Sequence, residues 1–447
     1  MTTDHPPDVS STSEDRNAST PKIAVRGLYK VFGPDPARAI AALEKGATKG
    51  EVQSRLGNAV GVADVNLDIG EGETFVLMGL SGSGKSTLLR LLNRLHEPTR
   101  GSVVVDGTDI TRLSKRELLE VRREKFSGMV FQQFAILPHR TVLDNVAYGL
   151  EVQGVPVAQR HERAQQAIEL VGLAGWERSY PHQLSGGMQQ RVGLARALAV
   201  DADVLLMDEA FSALDPLIRR EMQDELIDLQ ARMRKTIVFV THDLDEALRL
   251  GDRIAIMKDA RVVQVGTPEE VITEPADDYV AAFVEGVDRS GVLTAGSIMQ
   301  PVREVARLRD GPQTALSKMR RSGLSGILVV DRERRVLGYL TSERIVEALR
   351  EGGVTQERIH GDLMEPATTV DADTPLSDVI TIASGGSQPI AVVDGTGRLR
   401  GVVVKGAILA ALARPHRNGG DAAEQDAGGD VAPPFTAGRA VLEARGA

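Results

Sequence analysis

The sequence predicts an α/β chain whose first part is a parallel sheet flanked by helices and whose last part is a pair of α+β units. Short apolar runs of strand length alternate with longer stretches of helical periodicity, which is typical of a parallel sheet. The predicted buried strands are 74–78, 203–207 and 236–240. A largely helical stretch is predicted over 115–200, and a further helix over 215–232. This first domain is expected to span residues 22–289.

The last third of the chain contains an internal repeat. Ile298–Pro301 is echoed 65 residues later by Leu363–Pro366, and Ile327–Asp331 is echoed 63 residues later by Ile390–Asp394. Each unit is predicted as a helix, a strand, a polar turn, a strand and a helix. The predicted bounds of the two units are 290–352 and 353–415.

Three further segments differ in composition from these domains. Residues 1–21 are polar and rich in Pro, Ser and Thr, and residues 416–447 are rich in Gly, Ala and Asp, so both are predicted to be disordered tails. Residues 35–57 place apolar Ala39 and Leu43 among charged positions. They are predicted to be a helical insertion between two strands of the first domain.

Composition limits what the chain can do. The 53 Lys and Arg residues against 62 Asp and Glu residues give a net charge of −9, which argues against binding nucleic acid. The chain has no cysteine, so disulfides and thiolate metal sites are excluded. No apolar run approaches the roughly 18–20 residues of a membrane-spanning helix, and the N-terminus lacks the pattern of a signal peptide. We therefore expect a soluble chain that reaches a membrane only through a partner.

A glycine-rich segment gives the strongest site prediction. It has the pattern G-x-x-x-x-G-K-S and lies between a predicted buried strand and a predicted helix. The backbone N–H groups of such a loop bind phosphates at a helix N-terminus, and glycines allow the backbone to approach them closely. Lys85 is expected to reach the terminal phosphates of ATP, and the Ser86 hydroxyl to bind Mg²⁺. The predicted nucleotide-binding residues are Gly79, Leu80, Ser81, Gly82, Ser83, Gly84, Lys85, Ser86 and Thr87.

Three polar residues follow predicted buried strands at the edge where such sheets bind ligands. Asp208 ends the run Val204–Met207 and is a candidate ligand of Mg²⁺. Glu209 is the candidate general base for an attacking water, the alternative being a surface acid that caps the next helix. His242 is expected to contact the γ-phosphate, the alternative being a structural histidine.

Together with Leu184-Ser185-Gly186-Gly187, these motifs make the chain resemble the ATP-binding subunit of an ATP-binding-cassette (ABC) transporter over about residues 22–285. Met188 stands where that family usually has glutamine. The resemblance implies a P-loop NTPase fold, the ABC cassette, with a parallel-sheet core and a helical subdomain. It also implies that Ser185, Gly186 and Gly187 contact the γ-phosphate of the ATP that a second subunit binds.

The same resemblance implies further site residues and an assembly. Gln132 is expected to contact Mg²⁺ and to face a membrane subunit, and Asp215 to lie in a loop across the dimer interface. Phe32 is expected to stack on adenine, with Tyr29 as a weaker candidate. Because the chain has one phosphate loop and one signature motif, it must pair with another subunit, and a homodimer is the default expectation.

A closer resemblance is to the ATPase subunits of glycine betaine/proline importers. Three features support this resemblance: the insertion at 35–57, the amino-acid sequence of Met207–Arg219, and the tandem repeat, which resembles a pair of CBS domains. It implies import of a compatible solute through a separate membrane permease and an extracytoplasmic solute-binding protein. The chain would then lie at the cytoplasmic face of the membrane. Alternatives are another amino acid or polar cation as cargo, a soluble ABC ATPase without a transport role, and a regulator that never hydrolyses ATP.

The role of the CBS pair stays open between three alternatives. Nucleotide-binding CBS units tend to show Gly-x-x-Thr with an acid three residues later, but Arg344 stands at that place after Thr341, and the second unit has Val404 in place of the threonine. The second alternative is a sensor of ionic strength that works through screening of exposed charge. Its basic side would be Arg332, Arg334 and Arg335, and its acidic side Asp421, Glu424, Asp426 and Asp430 of the tail. The third alternative is that the pair only dimerises the complex.

Overall fold

The computed structural model describes residues 20–131, 135–350, 359 and 361–413. Gln132, most of the two predicted tails and the acidic residues of the C-terminal tail lie outside the described residues. The strands are β1 Ile23–Phe32, β2 Ala59–Ile69, β3 Thr74–Met78, β4 Arg100–Val105, β5 Thr108–Asp109, β6 Phe126–Phe131, β7 Val204–Asp208, β8 Thr236–Thr241, β9 Arg253–Lys258, β10 Arg261–Gly266, β11 Ala306–Arg307, β12 Gly326–Val330, β13 Val336–Thr341, β14 Thr369–Asp371, β15 Ile390–Val393 and β16 Leu399–Val403.

Sixteen α-helices occur in the described part of the chain. They are α1 Pro36–Glu44, α2 Lys49–Leu56, α3 Lys85–Leu92, α4 Lys115–Lys125, α5 Val142–Val152, α6 Val157–Leu170, α7 Gly186–Ala199, α8 Pro216–Met233, α9 Leu244–Leu250, α10 Pro268–Thr273, α11 Asp278–Val284, α12 Ala295–Ile298, α13 Pro312–Ser322, α14 Ser342–Arg350, α15 Leu376–Ser384 and α16 Lys405–Leu412.

The main sheet of the first domain has six strands in the order β10-β9-β3-β8-β7-β6, all parallel except the edge strand β10. Every residue of β3, β7 and β8 is buried, which explains why these strands are continuous apolar runs in the sequence. The predicted strands and the α/β fold are confirmed. Met78 pairs with Thr241, and Asp208 with Val240, so the carboxyl ends of the three strands meet at one edge.

A second sheet, which the sequence analysis did not predict, is antiparallel with the order β2-β1-β4-β5. The analysis also missed β6, inside the stretch interpreted as largely helical, and β9 and β10. The strand β6 pairs with the buried strand β7, and a glycine at positive φ, Gly128, lies in the middle of it. The conformation of β6 is determined by its pairing with β7, which is distant in the sequence. The periodicity of apolar residues within β6 therefore does not predict a strand.

The predicted helical insertion consists of α1 and α2. Asp35 caps α1 by accepting a hydrogen bond from the backbone N of Arg38, and Thr48 caps α2 in a reciprocal capping box with Glu51. The buried side chains of the insertion, which include Leu43 and Val52, pack with Val31 and Val60 of the antiparallel sheet and with Ala260.

The two repeat units have equivalent three-stranded sheets, β11-β12-β13 and β14-β15-β16, as the repeat predicted. In each sheet the first pair of strands is parallel and the second is antiparallel. Leu293 and Ala295, at the start of the first unit, pack in the core of the second unit, and Ile359 and Leu363, at the start of the second, pack in the core of the first. The two units therefore exchange segments.

Candidate functional site

The glycine-rich loop joins β3 to α3, in the predicted order of strand, loop and helix. Gly79 has φ +146°, and a Cβ there would lie 2.3 Å from the carbonyl oxygen of Met257. Gly84 has φ +108°, and its Cβ would lie 2.2 Å from the carbonyl oxygen of Gly61. Only glycine fits at these two positions. Gly84 is also the N-cap of α3 and provides no side-chain cap, so the first N–H groups of the helix are available to an anion.

Lys85 is buried beneath this loop. Its Nζ donates hydrogen bonds to the carbonyl oxygens of Gly79, at 2.8 Å, and Leu80, at 3.2 Å. Burial lowers the pKa of Lys85, and the nearby carboxylates of Glu209 and Asp208 oppose that effect. The ammonium is thus desolvated, and these hydrogen bonds are to neutral carbonyl oxygens, an arrangement that favours exchange of these contacts for phosphate oxygens.

Ser86 and Asp208 form a pair of hard oxygen ligands. The Ser86 hydroxyl donates to Oδ1 of Asp208 at 2.7 Å, and Nη2 of Arg90 lies 3.3 Å from Oδ2. Asp208 is the last residue of β7 and is buried. Within the described residues no group of three or more His, Asp or Glu side chains could hold a metal ion. A hydroxyl and a carboxylate are oxygen ligands of the kind that Mg²⁺ uses, and this ion commonly takes its remaining ligands from phosphate and water.

Glu209 and His242 meet at the same edge of the sheet. Oε2 of Glu209 lies 3.3 Å from Nδ1 of His242. Glu209 has φ +49°, and its N–H donates to the carbonyl oxygen of Val240 at 3.0 Å. Consecutive side chains of a strand point to opposite faces, but the left-handed conformation of Glu209 ends the strand. The carboxylates of Asp208 and Glu209 can therefore both face the same site. The cap of α8 is Asp215, so Glu209 is not the helix-capping acid of the alternative interpretation.

The turn that carries His242 is held by a buried polar network. The Thr241 hydroxyl donates to the carboxylate of Glu246 and accepts a hydrogen bond from the backbone N of Asp243 at 3.0 Å. Gln223 of α8 donates to the same carboxylate at 3.1 Å. Burial raises the pKa of Glu246. These contacts fix the backbone on both sides of His242, while its ring stays exposed.

Phe32 lies beside the phosphate loop at the end of β1. Its side chain is 39% exposed, and its ring meets the ring of His96 edge-on at a centroid distance of 5.6 Å. A Cβ at Gly61 would lie 3.0 Å from Phe32 and 2.9 Å from the side chain of Thr87, which places the ring near the first turn of α3. Tyr29 is only 3% exposed and packs in the core, so a stacking role for the weaker candidate is excluded.

The signature residues lie in another part of the first domain. Ser185 is the N-cap of α7, and its Oγ accepts a hydrogen bond from the backbone N of Met188 at 3.3 Å. Ser185 and Gly186 are exposed. A Cβ at Gly187 would lie 2.6 Å from Ile218, so α7 begins against the first turn of α8, which Asp215 caps. The hydrogen bond of the Ser185 side chain is thus with α7, and the close contact of Gly187 is with α8.

Two side chains of the site were missed by the sequence analysis. Arg90 lies one helical turn after Ser86 and shares Asp208 with it, and this i,i+4 spacing is a signal that the sequence contains. His96, the edge-on partner of Phe32, has no such signal, because it reaches the ring through the chain reversal after α3.

In the repeat units, Arg344 occupies the position at which a nucleotide-binding CBS unit tends to have an acid. Its Nη1 lies 3.3 Å from Oε1 of Glu365, and Gln388 of the second unit donates to Oε2 of the same carboxylate at 2.5 Å. The backbone N of Arg344 also donates to the Thr341 hydroxyl at 3.4 Å. These groups are therefore already engaged with one another. The basic turn of Arg332, Arg334 and Arg335 is exposed.

The fold and the phosphate-loop site define an ABC-type ATPase, and comparison with known families agrees. Residues 62–212 match the ABC transporter family, and residues 295–351 and 361–414 match the CBS domain. The chain is 52% identical over 392 residues to the glycine betaine transport ATP-binding protein OpuAA of Bacillus subtilis, covering 88% of this chain and 92% of that protein. It belongs to the family of glycine betaine transport ATP-binding proteins, the ATP-binding subunits of ABC transporters.

Two further relatives extend this comparison. The glycine betaine/proline betaine transport system ATP-binding protein ProV of Escherichia coli is 48% identical over 404 residues, with 89% of this chain and 99% of that protein covered. The trimethylamine N-oxide transport system ATP-binding protein TmoW of Ruegeria pomeroyi is 55% identical over 281 residues, with 63% of this chain and 82% of that protein covered. Among the described helices, none combines the length and the apolar content that crossing a bilayer requires.

Proposed function

We propose that this chain hydrolyses ATP to drive the import of glycine betaine, proline betaine or a similar compatible solute. The cargo follows from the relatives OpuAA and ProV, which match this chain over nearly its whole length. A separate membrane permease would form the path, an extracytoplasmic solute-binding protein would deliver the solute, and the chain would lie at the cytoplasmic face of the membrane. TmoW favours one alternative, a polar amine oxide as cargo. Stimulation of ATP hydrolysis by glycine betaine in the reconstituted complex tests the assignment.

One observation carries the proposed chemistry: Glu209, His242, Lys85 and the pair of Ser86 and Asp208 converge at the carboxyl edge of one sheet. A water molecule attacks the γ-phosphorus and gives a proton to Glu209, while the bond to the β-phosphate oxygen breaks and ADP leaves with the electron pair. His242 holds the water and the γ-phosphate in line. A regulator that only binds nucleotide would not need the pair of Glu209 and His242.

Mg²⁺ would be held by Ser86 and Asp208, with Gln132 as a further ligand from outside the described residues. When bound, the ion neutralises charge on the phosphate oxygens. Arg90 positions Asp208 through its contact with Oδ2. Phe32 offers an exposed aromatic face for adenine, and the glycine loop from Gly79 to Thr87 supplies the backbone donors for the phosphates.

We infer that the working unit is a homodimer in which Ser185, Gly186 and Gly187 of one copy complete the site of the other. Ser185 and Gly186 of the signature are exposed, and so is the crest of the phosphate loop from Leu80 to Gly82. Large apolar side chains near the phosphate loop and near the signature are exposed to solvent: Leu80 in the loop is 58% exposed, and Leu217, close to Asp215, is 69% exposed. Burial of these side chains against a second copy accounts for their presence on the surface.

Mixing two inactive variants tests this shared site. Lys85→Ala disables the loop, and Ser185→Arg fills the signature with a bulky cation at an exposed position, so each homodimer should be nearly inactive. A mixed dimer keeps one intact site of two, so purified mixed dimers should recover up to about half of the wild-type number of sites. The measurement is ATP hydrolysis by tagged, co-purified mixed dimers. No recovery, or full activity of the Ser185→Arg chain alone, would contradict a site shared between copies.

For the CBS pair we propose regulation by ionic strength in preference to nucleotide binding. A CBS unit that binds ribose tends to have an acid at the position of Arg344. Here that position is a cation whose side chain pairs with the carboxylate of Glu365, and Gln388 donates to the same carboxylate. The exposed turn of Arg332, Arg334 and Arg335 provides charge whose attraction to an acidic partner salt would screen.

A further inference from the structure

The helical insertion contacts the phosphate loop directly. Nζ of Lys49, the first residue of α2, donates a hydrogen bond to the carbonyl oxygen of Gly82 at 2.6 Å. Gly82 lies at the exposed crest of the loop with φ +76°, and a Cβ there would meet only open space. A glycine with so few neighbours has high conformational freedom, so an external hydrogen bond is well placed to order it.

The contact belongs to a pattern in which four carbonyl groups of the loop accept hydrogen bonds from protein donors. Lys85 binds the carbonyls of Gly79 and Leu80, Lys49 binds that of Gly82, and the backbone N of Ala260 donates to that of Ser83 at 3.0 Å. In a trans peptide the C=O and N–H groups point in opposite directions. The carbonyls of Gly82 and Ser83, whose donors are not recruited by the phosphates, therefore do not face bound ATP, and Lys49 holds the one at the crest.

The position of Lys49 in its helix is unfavourable for helix stability. It occupies the first turn of α2, where the helix dipole favours an anion, and the capping box of Thr48 and Glu51 stabilises that end of the helix instead. A residue that breaks a local rule without a local gain commonly has a functional reason. Its hydrogen bond to Gly82 provides that reason.

The insertion is anchored by a buried hydrophobic cluster next to the phosphate loop. Leu43 and Val52 pack in the same buried cluster as Ala260, whose N–H binds the carbonyl of Ser83. Two successive carbonyls of the loop are thus held from this cluster: Lys49 of the insertion binds that of Gly82, and Ala260 of the β9–β10 turn binds that of Ser83. Between α1, α2 and the β9–β10 turn lies a groove of about 460 Å³ that also includes Arg261.

We propose that Lys49 is a positioning residue for ATP, which makes the insertion a working part of the nucleotide site. Its ammonium group holds the Gly82 carbonyl away from the phosphates and orders the crest before ATP binds. This inference rests on the proposed role of the phosphate loop in binding ATP. Preorganisation of this kind strengthens the binding of substrate and transition state alike, so it acts on KM and not on kcat.

The test compares Lys49→Met, which keeps the aliphatic stem, with Lys49→Arg, which restores a cationic donor. The control is Lys45→Met on the same insertion, since Lys45 borders a different groove next to Arg38 and Arg55. In the full chain with its permease, Lys49→Met should raise the Kd and KM for ATP about three- to tenfold, as expected for loss of one hydrogen bond that is exposed to solvent and therefore weaker than a buried charged one. The kcat should stay within about twofold, and Lys49→Arg should recover most of the affinity.

The outcomes separate this inference from the proposed function. Unchanged KM in Lys49→Met, an equal rise in Lys45→Met, or a loss of kcat at constant KM would overturn the role of Lys49 while leaving the phosphate loop as the ATP site. A wild-type chain that does not bind ATP would overturn both. An unchanged melting temperature of Lys49→Met, together with a raised KM, supports positioning and excludes a general loss of stability.

Discussion

Glu209→Gln is expected to bind ATP with affinity close to that of the wild type and to lose about 10²–10⁴-fold in turnover, the usual effect of removing a general base. The amide has the shape of the carboxylate but cannot accept the proton of the attacking water. Glu209 takes no part in the described contacts of the loop carbonyls, so the phosphate loop should keep its geometry. The measurement is single-turnover hydrolysis alongside equilibrium binding of ATP.

A matched control for this substitution is Asp245→Asn. Asp245 is an exposed acid in the first turn of α9, three residues after His242, so it tests the general effect of removing a negative charge near the site. Its turnover should resemble that of the wild type. If Glu209→Gln hydrolysed ATP at a near-normal rate, Glu209 would not be the base, and its contact with His242 would have to be structural.

Lys85→Ala should lose the binding of ATP itself. The buried ammonium makes two hydrogen bonds to loop carbonyls and is the basic side chain at the centre of the loop. Loss of two charged hydrogen bonds to phosphate, each worth about 1.5–3 kcal/mol, predicts a Kd at least about 100-fold higher. The measurement is equilibrium binding of ATP and ADP to the full chain.

Lys115→Ala is the control for the loss of one lysine, because Lys115 is exposed at the start of α4 on a different surface of the domain. It should bind ATP as the wild type does. Retained affinity in Lys85→Ala would show that the loop between β3 and α3 does not bind the phosphates.

The sequence predicts those parts of the site that depend on short segments. β3, β7 and β8 are recognisable because strands buried on both faces are continuous apolar runs, and a side chain that follows such a run lies at the carboxyl edge of the sheet. This reasoning places Asp208, Glu209 and His242 near the loop, and the structure brings Glu209 and His242 within 3.3 Å.

Contacts between distant segments are not predictable in this way. The run from Ile23 predicts a strand, but not that β1 pairs with both β2 and β4 or that its register shifts near Gly27. The hydrogen bond from Lys49 to Gly82 joins residues 33 positions apart and depends on how the insertion docks. The offsets of the repeat predict two units but not the exchange by which Leu293 packs in the second of them.

ATP hydrolysis by this chain is proposed to be coupled to uptake of a quaternary amine. The most direct test is the ATPase rate of the chain reconstituted with its permease in vesicles, with and without glycine betaine and the solute-binding protein, across a series of salt concentrations. We expect stimulation by glycine betaine that increases with salt. Intact ATP hydrolysis that does not respond to glycine betaine would leave the ATPase in place and contradict the assigned cargo.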